Sequence, residues 1–167
     1  VFCLAVIAIL AALGGLWYYT AHLDRSGWVQ QNGYYYYLDE KGTPVSGWME
    51  EAGNMYYFGQ SSAMVTGWQT IDGNHYYFGS SGVMHTGWLE ENNQRRYFLQ
   101  SGIPASGWVD VDGLRRYFLA DGLLASGWQD IDGAHCYLSE EGTLATGWLE
   151  QPEGIYYLDD RGCPVGG

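Results

Sequence analysis

The chain has 167 residues, with 19 acidic and seven basic side chains and a formal net charge of −12. All of these charges follow Leu23, and such acidity argues against nucleic acid and other polyanions as partners. The 25 glycines, 15 tyrosines and eight tryptophans, with only four prolines, favour an extracellular all-β array.

The first 19 residues carry no charge. At 1.5 Å per residue, a helix over Val1 to Tyr19 would cross about 28 Å, which is just enough to span a bilayer. Trp17, Tyr18 and Tyr19 end this run like an interfacial aromatic belt. We therefore predict one hydrophobic, transmembrane α-helix, with residues 1–19 in contact with the membrane. The alternative is a secretory signal peptide, because the small residues at 12–14 resemble a cleavage site.

A Gly-Trp pair marks a repeat of twenty residues through the rest of the chain. The seven pairs stand at 27/28, 47/48, 67/68, 87/88, 107/108, 127/128 and 147/148. In the unit TGWQTIDGNHYYF, a strand begins at Trp68, Asp72-Gly73 is typical of a type I′ turn, and a second strand ends at Phe78. Seven units in one register indicate an array of β-hairpins.

A two-residue turn pairs each Trp with the residue nine places on, across the two strands. That residue is Tyr in every unit: Tyr37, Tyr57, Tyr77, Tyr97, Tyr117, Tyr137 and Tyr157. One such hairpin cannot bury its apolar face alone, so neighbours must stack. We predict an all-β solenoid of seven stacked 20-residue hairpins, preceded by the hydrophobic helix. The domains are an anchor or signal segment, 1–23, and a repeat array, 24–167, with repeats starting near 26, 46, 66, 86, 106, 126 and 146.

The chemistry-bearing residues outside this pattern are few. Cys136 takes a Tyr-type position on a strand and Cys163 lies in a turn, so their different phases lead us to expect free thiols. No nucleophile, acid and base stand together, and no His or Cys residues have metal-ligand spacing. We predict no catalytic residue, no metal and no cofactor; an enzymatic domain, if the protein has one, lies outside this sequence.

The repeats over residues 26–165 resemble the cell-wall-binding, or choline-binding, repeat family of Gram-positive surface proteins. The TGWQTIDG unit with its Tyr-Tyr-Phe end is also similar to repeats of glucan-binding proteins and clostridial toxins. The resemblance implies stacked hairpins with choline sites between neighbours, where aromatic rings enclose the trimethylammonium group. It also implies noncovalent attachment to a cell-envelope polymer such as choline-bearing teichoic acid, at the cell surface, whether anchored or secreted. The alternatives are glucan or other carbohydrate binding, and a ligand-free structural or adhesion stalk.

The family's sites combine the Trp, the residue seven places later and the second Tyr of the next unit. Carried onto this chain, the resemblance implies three sites: Trp28, Tyr35 and Tyr57; Trp48, Met55 and Tyr77; and Trp68 and Tyr97, with His75 as the lining residue. The next two units place Arg95 and Arg115 at the lining position. A guanidinium repels a cationic ligand, so we expect these two residues to be possible glycan contacts instead.

Overall fold

The computed structural model describes residues 26–165, which form fourteen strands paired antiparallel into seven two-stranded sheets. Hairpins 1 to 7 are, in chain order, β1 Gly27–Gln31 with β2 Tyr34–Leu38, β3 Gly47–Glu51 with β4 Asn54–Phe58, β5 Gly67–Ile71 with β6 Asn74–Phe78, β7 Gly87–Glu91 with β8 Gln94–Phe98, β9 Gly107–Val111 with β10 Leu114–Phe118, β11 Gly127–Ile131 with β12 Ala134–Leu138, and β13 Gly147–Gln151 with β14 Gly154–Leu158.

The predicted register is confirmed in all seven described hairpins, and the predicted turn is confirmed in hairpins 1 to 6. Each Gly-Trp Trp faces the Tyr nine residues on, as Trp68 faces Tyr77 in hairpin 3. The turn residues Asp72 and Gly73 have φ angles of 51° and 80°, so both adopt the left-handed conformation of a type I′ turn. This turn fixes the register and therefore decides which side chains share a face.

The hairpins fall into two compact units. The first comprises the chain up to Thr66 together with Ser80–Val83, and it holds hairpins 1 and 2. The second comprises Gly67–Gly79 and the chain from Met84 onward, and it holds hairpins 3 to 7. The contacts given below each lie within one of these units.

The core is built from the residue ten places after each Trp. Six of these side chains are almost wholly buried: Phe58, Phe78, Phe98, Phe118, Leu138 and Leu158. Smaller apolar residues join them, as Ala125 and Ile131 join Leu138 in one cluster against which Trp108 packs. Each cluster combines residues of consecutive repeats, so a hairpin completes its core with its neighbour.

Backbone hydrogen bonds also join consecutive repeats. The Tyr117 N–H donates to the Gly142 carbonyl at 2.9 Å, and the Tyr137 N–H donates to the Gly162 carbonyl at 2.8 Å. At Gly162, φ is 70° and an added Cβ would lie 3.1 Å from the Tyr137 carbonyl oxygen. Only glycine meets both demands, which explains the second glycine of the repeat.

The predicted fold class needs one correction. The structure supports an all-β fold of seven hairpins and shows no helix among residues 26–165, so the hydrophobic helix is not part of the fold that it describes. The residues assigned to that helix, 1–19, lie outside the described residues. Within the described chain, no helix is long and apolar enough to cross a membrane.

The expectation of free thiols at Cys136 and Cys163 is wrong. These two residues form a disulfide, with their Cα atoms 4.2 Å apart. Cys136 lies on β12 and Cys163 in the loop after β14, which the Tyr137–Gly162 hydrogen bond brings against that strand. Strand phase alone could not reveal the pairing, because one partner lies in the loop of the next repeat.

We predict that removing this disulfide destabilises the second unit. It closes a loop with a sequence separation of 27, and the chain-entropy model gives roughly 3–4 kcal/mol for a loop of that length. The measurement is urea unfolding of Cys163→Ser against wild type, each with and without dithiothreitol. Reductant should lower the wild-type midpoint and leave the variant unchanged, with Cys3→Ser as control. Equal wild-type midpoints in both buffers would contradict the cross-link.

We also predict that Ser62→Gly stabilises the first unit. Ser62 has a φ of 58° at the repeat position where Gly42 and Gly82 have φ of 77° and 78°. A left-handed conformation costs an L-residue roughly 1–2 kcal/mol, and part of this cost is offset by the greater entropy that glycine loses on folding. Thermal unfolding should therefore show a small rise for Ser62→Gly and none for the adjacent control Ser61→Gly. A lower melting temperature for Ser62→Gly would exclude the strain argument.

Candidate functional site

The grooves between consecutive hairpins contain most of the aromatic side chains. Strand alternation places each Trp on one face with the residues seven and nine places on, and the residues eight and ten places on occupy the other face. Within one unit, the Trp of a hairpin then packs on the second face of the following hairpin. Each groove therefore has a Trp and its seventh residue on one side, and the next hairpin's eighth residue on the other.

The first groove lies between hairpins 1 and 2 of the first unit. The Trp28 ring centroid lies 4.9 Å from Tyr56 and 5.8 Å from Phe58, both in hairpin 2. Tyr37 meets the same indole at 5.3 Å from within hairpin 1, and Tyr35 shares its strand face. The rings of this groove are thus Trp28, Tyr35 and Tyr56.

The place of Tyr57 in this first site, which the resemblance implied, stays a prediction. Tyr57 pairs with Trp48 of its own hairpin at 5.1 Å. Trp48 and Met55 belong to the first unit and Tyr77 to the second, so the second predicted site stays a prediction. Tyr77 itself pairs with Trp68 at 5.3 Å.

At the third predicted site, Trp68 contacts other side chains of the protein, and one of them is a cation. Trp68 lies 5.6 Å from Phe98, and the Arg96 guanidinium carbon lies 5.5 Å from its ring. Tyr97 pairs with Trp88 at 5.1 Å, one hairpin further on. His75, the predicted lining residue, hydrogen-bonds the Thr70 hydroxyl at 3.0 Å.

The groove at Trp88 is occupied by two arginines. The guanidinium carbons of Arg95 and Arg116 lie 4.4 Å and 5.6 Å from the indole centroid, within the range of a cation–π contact. The indole N–H donates to Asp112 at 3.0 Å. The protein's own cations therefore take the place over this ring that a quaternary ammonium would need.

One carboxylate joins these arginines across three repeats. Glu141 of the sixth repeat lies 3.5 Å from Arg95 and 3.5 Å from Arg116, and Arg95 also pairs with Glu90 at 3.3 Å. Arg116 is only 5% exposed, and it donates to the backbone carbonyls of Glu141 and Val111. Its charge is thus paired and its donors are used, as a buried cation requires.

The groove at Trp128 has a third composition. His135 stacks flat on the indole, with centroids 4.9 Å apart and an interplanar angle of 4°, and its Nδ1 lies 2.7 Å from Asp130. Tyr156 of the next hairpin approaches the same indole at 5.1 Å. In hairpin 7, Trp148 is 77% exposed.

Reasoning from the sequence missed the eighth residue of each repeat as a wall. Tyr56 and Tyr156, which are eighth residues, each lie against the preceding Trp of their own unit. Two signals pointed there: strand alternation puts the eighth and tenth residues on one face, and the tenth is apolar in every repeat. The corresponding residue behind Trp108 is Cys136, which the disulfide holds.

Two parts of the chain match known repeat families. Residues 65–103 match the model described as a choline-binding repeat, and residues 26–43 match a putative cell wall binding repeat. A comparison with curated proteins found no match.

Solved structures from Streptococcus pneumoniae share the hairpin array. CbpJ is 28% identical with a TM-score of 0.74, and the match covers 84% of this chain and 52% of that one. Choline binding protein F is 29% identical with a TM-score of 0.72, covering 84% and 51%. The choline-binding domain of CbpL is 29% identical with a TM-score of 0.62, covering 84% and 77%.

These matches indicate the class of protein. It is a repeat protein in which short β-hairpins with aromatic side chains follow one another along the chain. The repeat array is similar to the choline-binding, or cell-wall-binding, repeat family. The matched part spans about half the length of CbpJ and of choline binding protein F.

We predict that Arg116 and its neighbour Arg115 differ sharply in their effect on stability. Arg116→Met removes the hydrogen bonds to the carbonyls of Glu141 and Val111, and a hydrogen bond made by a charged group contributes about 1.5–3 kcal/mol. Arg115 is exposed, so Arg115→Met should change stability by less than about 0.5 kcal/mol. Urea unfolding of both variants measures the difference. Equal midpoints would show that the buried arginine does not support the fold.

Proposed function

We propose that the repeat array binds a cell-envelope polymer noncovalently and that its first groove receives a choline-type cation. The observation that supports this most directly is the meeting of Trp28 with Tyr56 at 4.9 Å, with Tyr35 on the same strand face as Trp28. Three ring faces around one groove suit a quaternary ammonium, because ring quadrupoles attract a cation that has no hydrogen to donate. Trp28 and Tyr35 are both half-buried, so part of each remains open to a ligand.

The family supports a wall polymer as the ligand. Choline binding protein F, which is 29% identical over 84% of this chain, was solved in the presence of a peptidoglycan analogue, a tetrasaccharide-pentapeptide. By the same resemblance, the polymer for this chain is choline-bearing teichoic acid. Such repeats are binding modules, and the array's residues act here by attachment rather than by catalysis.

The disulfide supports a location at the cell surface. Disulfides persist in oxidising compartments outside the cytosol. Cys136–Cys163 is such a disulfide, and it links two consecutive repeats. A surface location also places the grooves where a wall polymer can reach them.

The grooves are not equivalent, and this limits where choline binds. At Trp88, Arg95 and Arg116 already lie over the indole, so a second cation would be repelled. Individual sites of this kind are weak, and several of them along one polymer gain from effective concentration. The aromatic first groove is therefore the place to test a single site.

We predict that choline raises the melting temperature of the full chain and that Tyr35→Ala reduces this rise. A ligand at ten times its Kd that binds only the folded state adds roughly 1.4 kcal/mol, which is a few degrees for a chain of this size. The measurement is a thermal melt in millimolar choline chloride against sodium chloride at equal ionic strength. Tyr34→Ala is the matched control, because Tyr34 is 59% exposed and lies on the opposite strand face.

Three results would count against the proposal. The first is a melting temperature that choline leaves unchanged. The second is an equal rise with sodium chloride, which would show an ionic-strength effect. The third is an equal loss of the choline response in Tyr34→Ala and Tyr35→Ala, which would show that the substitution acts on folding and not on a cage.

A further inference from the structure

A cavity lies in the groove beside Trp108. The cavity has a volume of about 630 Å³, and every residue that lines it belongs to repeats five to seven of the second unit. Its walls include Trp108, Leu114, Ile131 and the Cys136–Cys163 disulfide. This volume is within the range of small-molecule sites.

The cavity exists because a ring is missing. At Trp28 and Trp128, a tyrosine of the next hairpin lies against the indole. Behind Trp108, the same strand position is Cys136, which is 4% exposed and bonded to Cys163. A cystine extends less far from the strand than a tyrosine ring does. Part of the half-buried Trp108 therefore lines an open space instead of packing against a ring.

Two guanidinium groups lie at this cavity. Arg115 is exposed, and its guanidinium carbon lies 6.0 Å from the Trp108 ring. Among residues 26–165, no carboxylate lies within ion-pair distance of Arg115, in contrast to Arg95 at the same repeat position. The chain has only seven basic residues, and two of them line this cavity together with one carboxylate, that of Asp132.

Arg161 is the second guanidinium, and it is held in place while keeping free donors. It donates from Nε and one terminal nitrogen to Asp159, at 3.1 Å and 2.9 Å, and its side chain is 81% exposed. The backbone N–H of Cys163 and then Arg161 itself lower the pKa of Asp159, so this carboxylate stays ionised. A guanidinium has five N–H donors, so the remaining ones can meet a ligand.

We propose that this cavity binds a sugar unit that carries an anionic group, a carboxylate or a phosphate. The apolar face of the sugar ring stacks on Trp108, and its anionic group accepts hydrogen bonds from Arg115 and Arg161. Asp132, which also lines the cavity, accepts from the sugar hydroxyls. The inference extends the proposed function, because it rests on the array binding an envelope polymer and adds a second ligand class to it.

We test the site by titration calorimetry of the full chain with three probes. Tetragalacturonate supplies a carboxylate, glucose 6-phosphate supplies a phosphate, and maltotetraose is the neutral control. We expect one or both anionic probes to bind and maltotetraose to bind at least tenfold more weakly. Arg115→Gln and Arg161→Gln should each weaken anion binding roughly tenfold, the effect of losing one charge-assisted hydrogen bond. Binding should also weaken as the salt concentration rises.

The matched control is Arg95→Gln, because Arg95 has the same repeat position but is paired with Glu90 and Glu141. Its affinity for the anionic probe should stay within twofold of wild type. The proposal is overturned if neither anionic probe binds, if maltotetraose binds equally well, or if Arg115→Gln and Arg161→Gln bind like wild type. The thermal melts in choline described above separate the two proposals. Choline stabilisation without anion binding defeats this site alone, and anion binding without choline stabilisation defeats only the choline cage.

Discussion

Each of the two units depends on contacts between a Trp and the buried residue ten places after the next Trp. Trp28 meets Phe58, Trp68 meets Phe98 and Trp88 meets Phe118, with ring centroids 5.6–5.8 Å apart. Burying such a side chain contributes about 1.5–3 kcal/mol, whereas an isolated two-stranded hairpin is marginal in water. A hairpin therefore becomes stable through its neighbour, and the contact that stabilises it also forms the groove beside the Trp.

Because other positions of the repeat form the packing, two positions can vary in their chemistry. The Trp, the Tyr nine places on and the apolar residue ten places on form the constant packing. The seventh and eighth residues line the grooves, and they differ from one repeat to the next. They supply phenol rings around Trp28, guanidinium groups around Trp88, an imidazole at Trp128 and a cystine behind Trp108. One fold can thus present several kinds of groove along a single polymer.

Local patterns in the sequence predicted the structure of each hairpin well. They predicted the contacts between neighbouring hairpins less well. Asp-Gly turns and the Gly-Trp period determined strand ends and register, because both depend on residues only a few places apart. The resemblance put Tyr57 beside Trp28, which stays a prediction. It did not single out Tyr56, which lies 4.9 Å from Trp28, because pairing within a hairpin does not say which face the next hairpin presents. The Cys136–Cys163 disulfide was not predicted, for the same reason. Its two cysteines meet only when the loop of one repeat contacts the strand of another.

The arginines at Trp88 show how packing and ligand recognition compete for the same ring. A cation over an indole is favourable whether it comes from a ligand or from the chain. Arg95 and Arg116 satisfy that preference from within, and Glu141 holds both of them, so this groove contributes cohesion between repeats. Arg115 lies further from its Trp and has no such carboxylate among the described residues, so its charge remains available to a ligand. A groove can therefore serve binding only where the protein's own residues leave the aromatic face, or the charge beside it, without a partner.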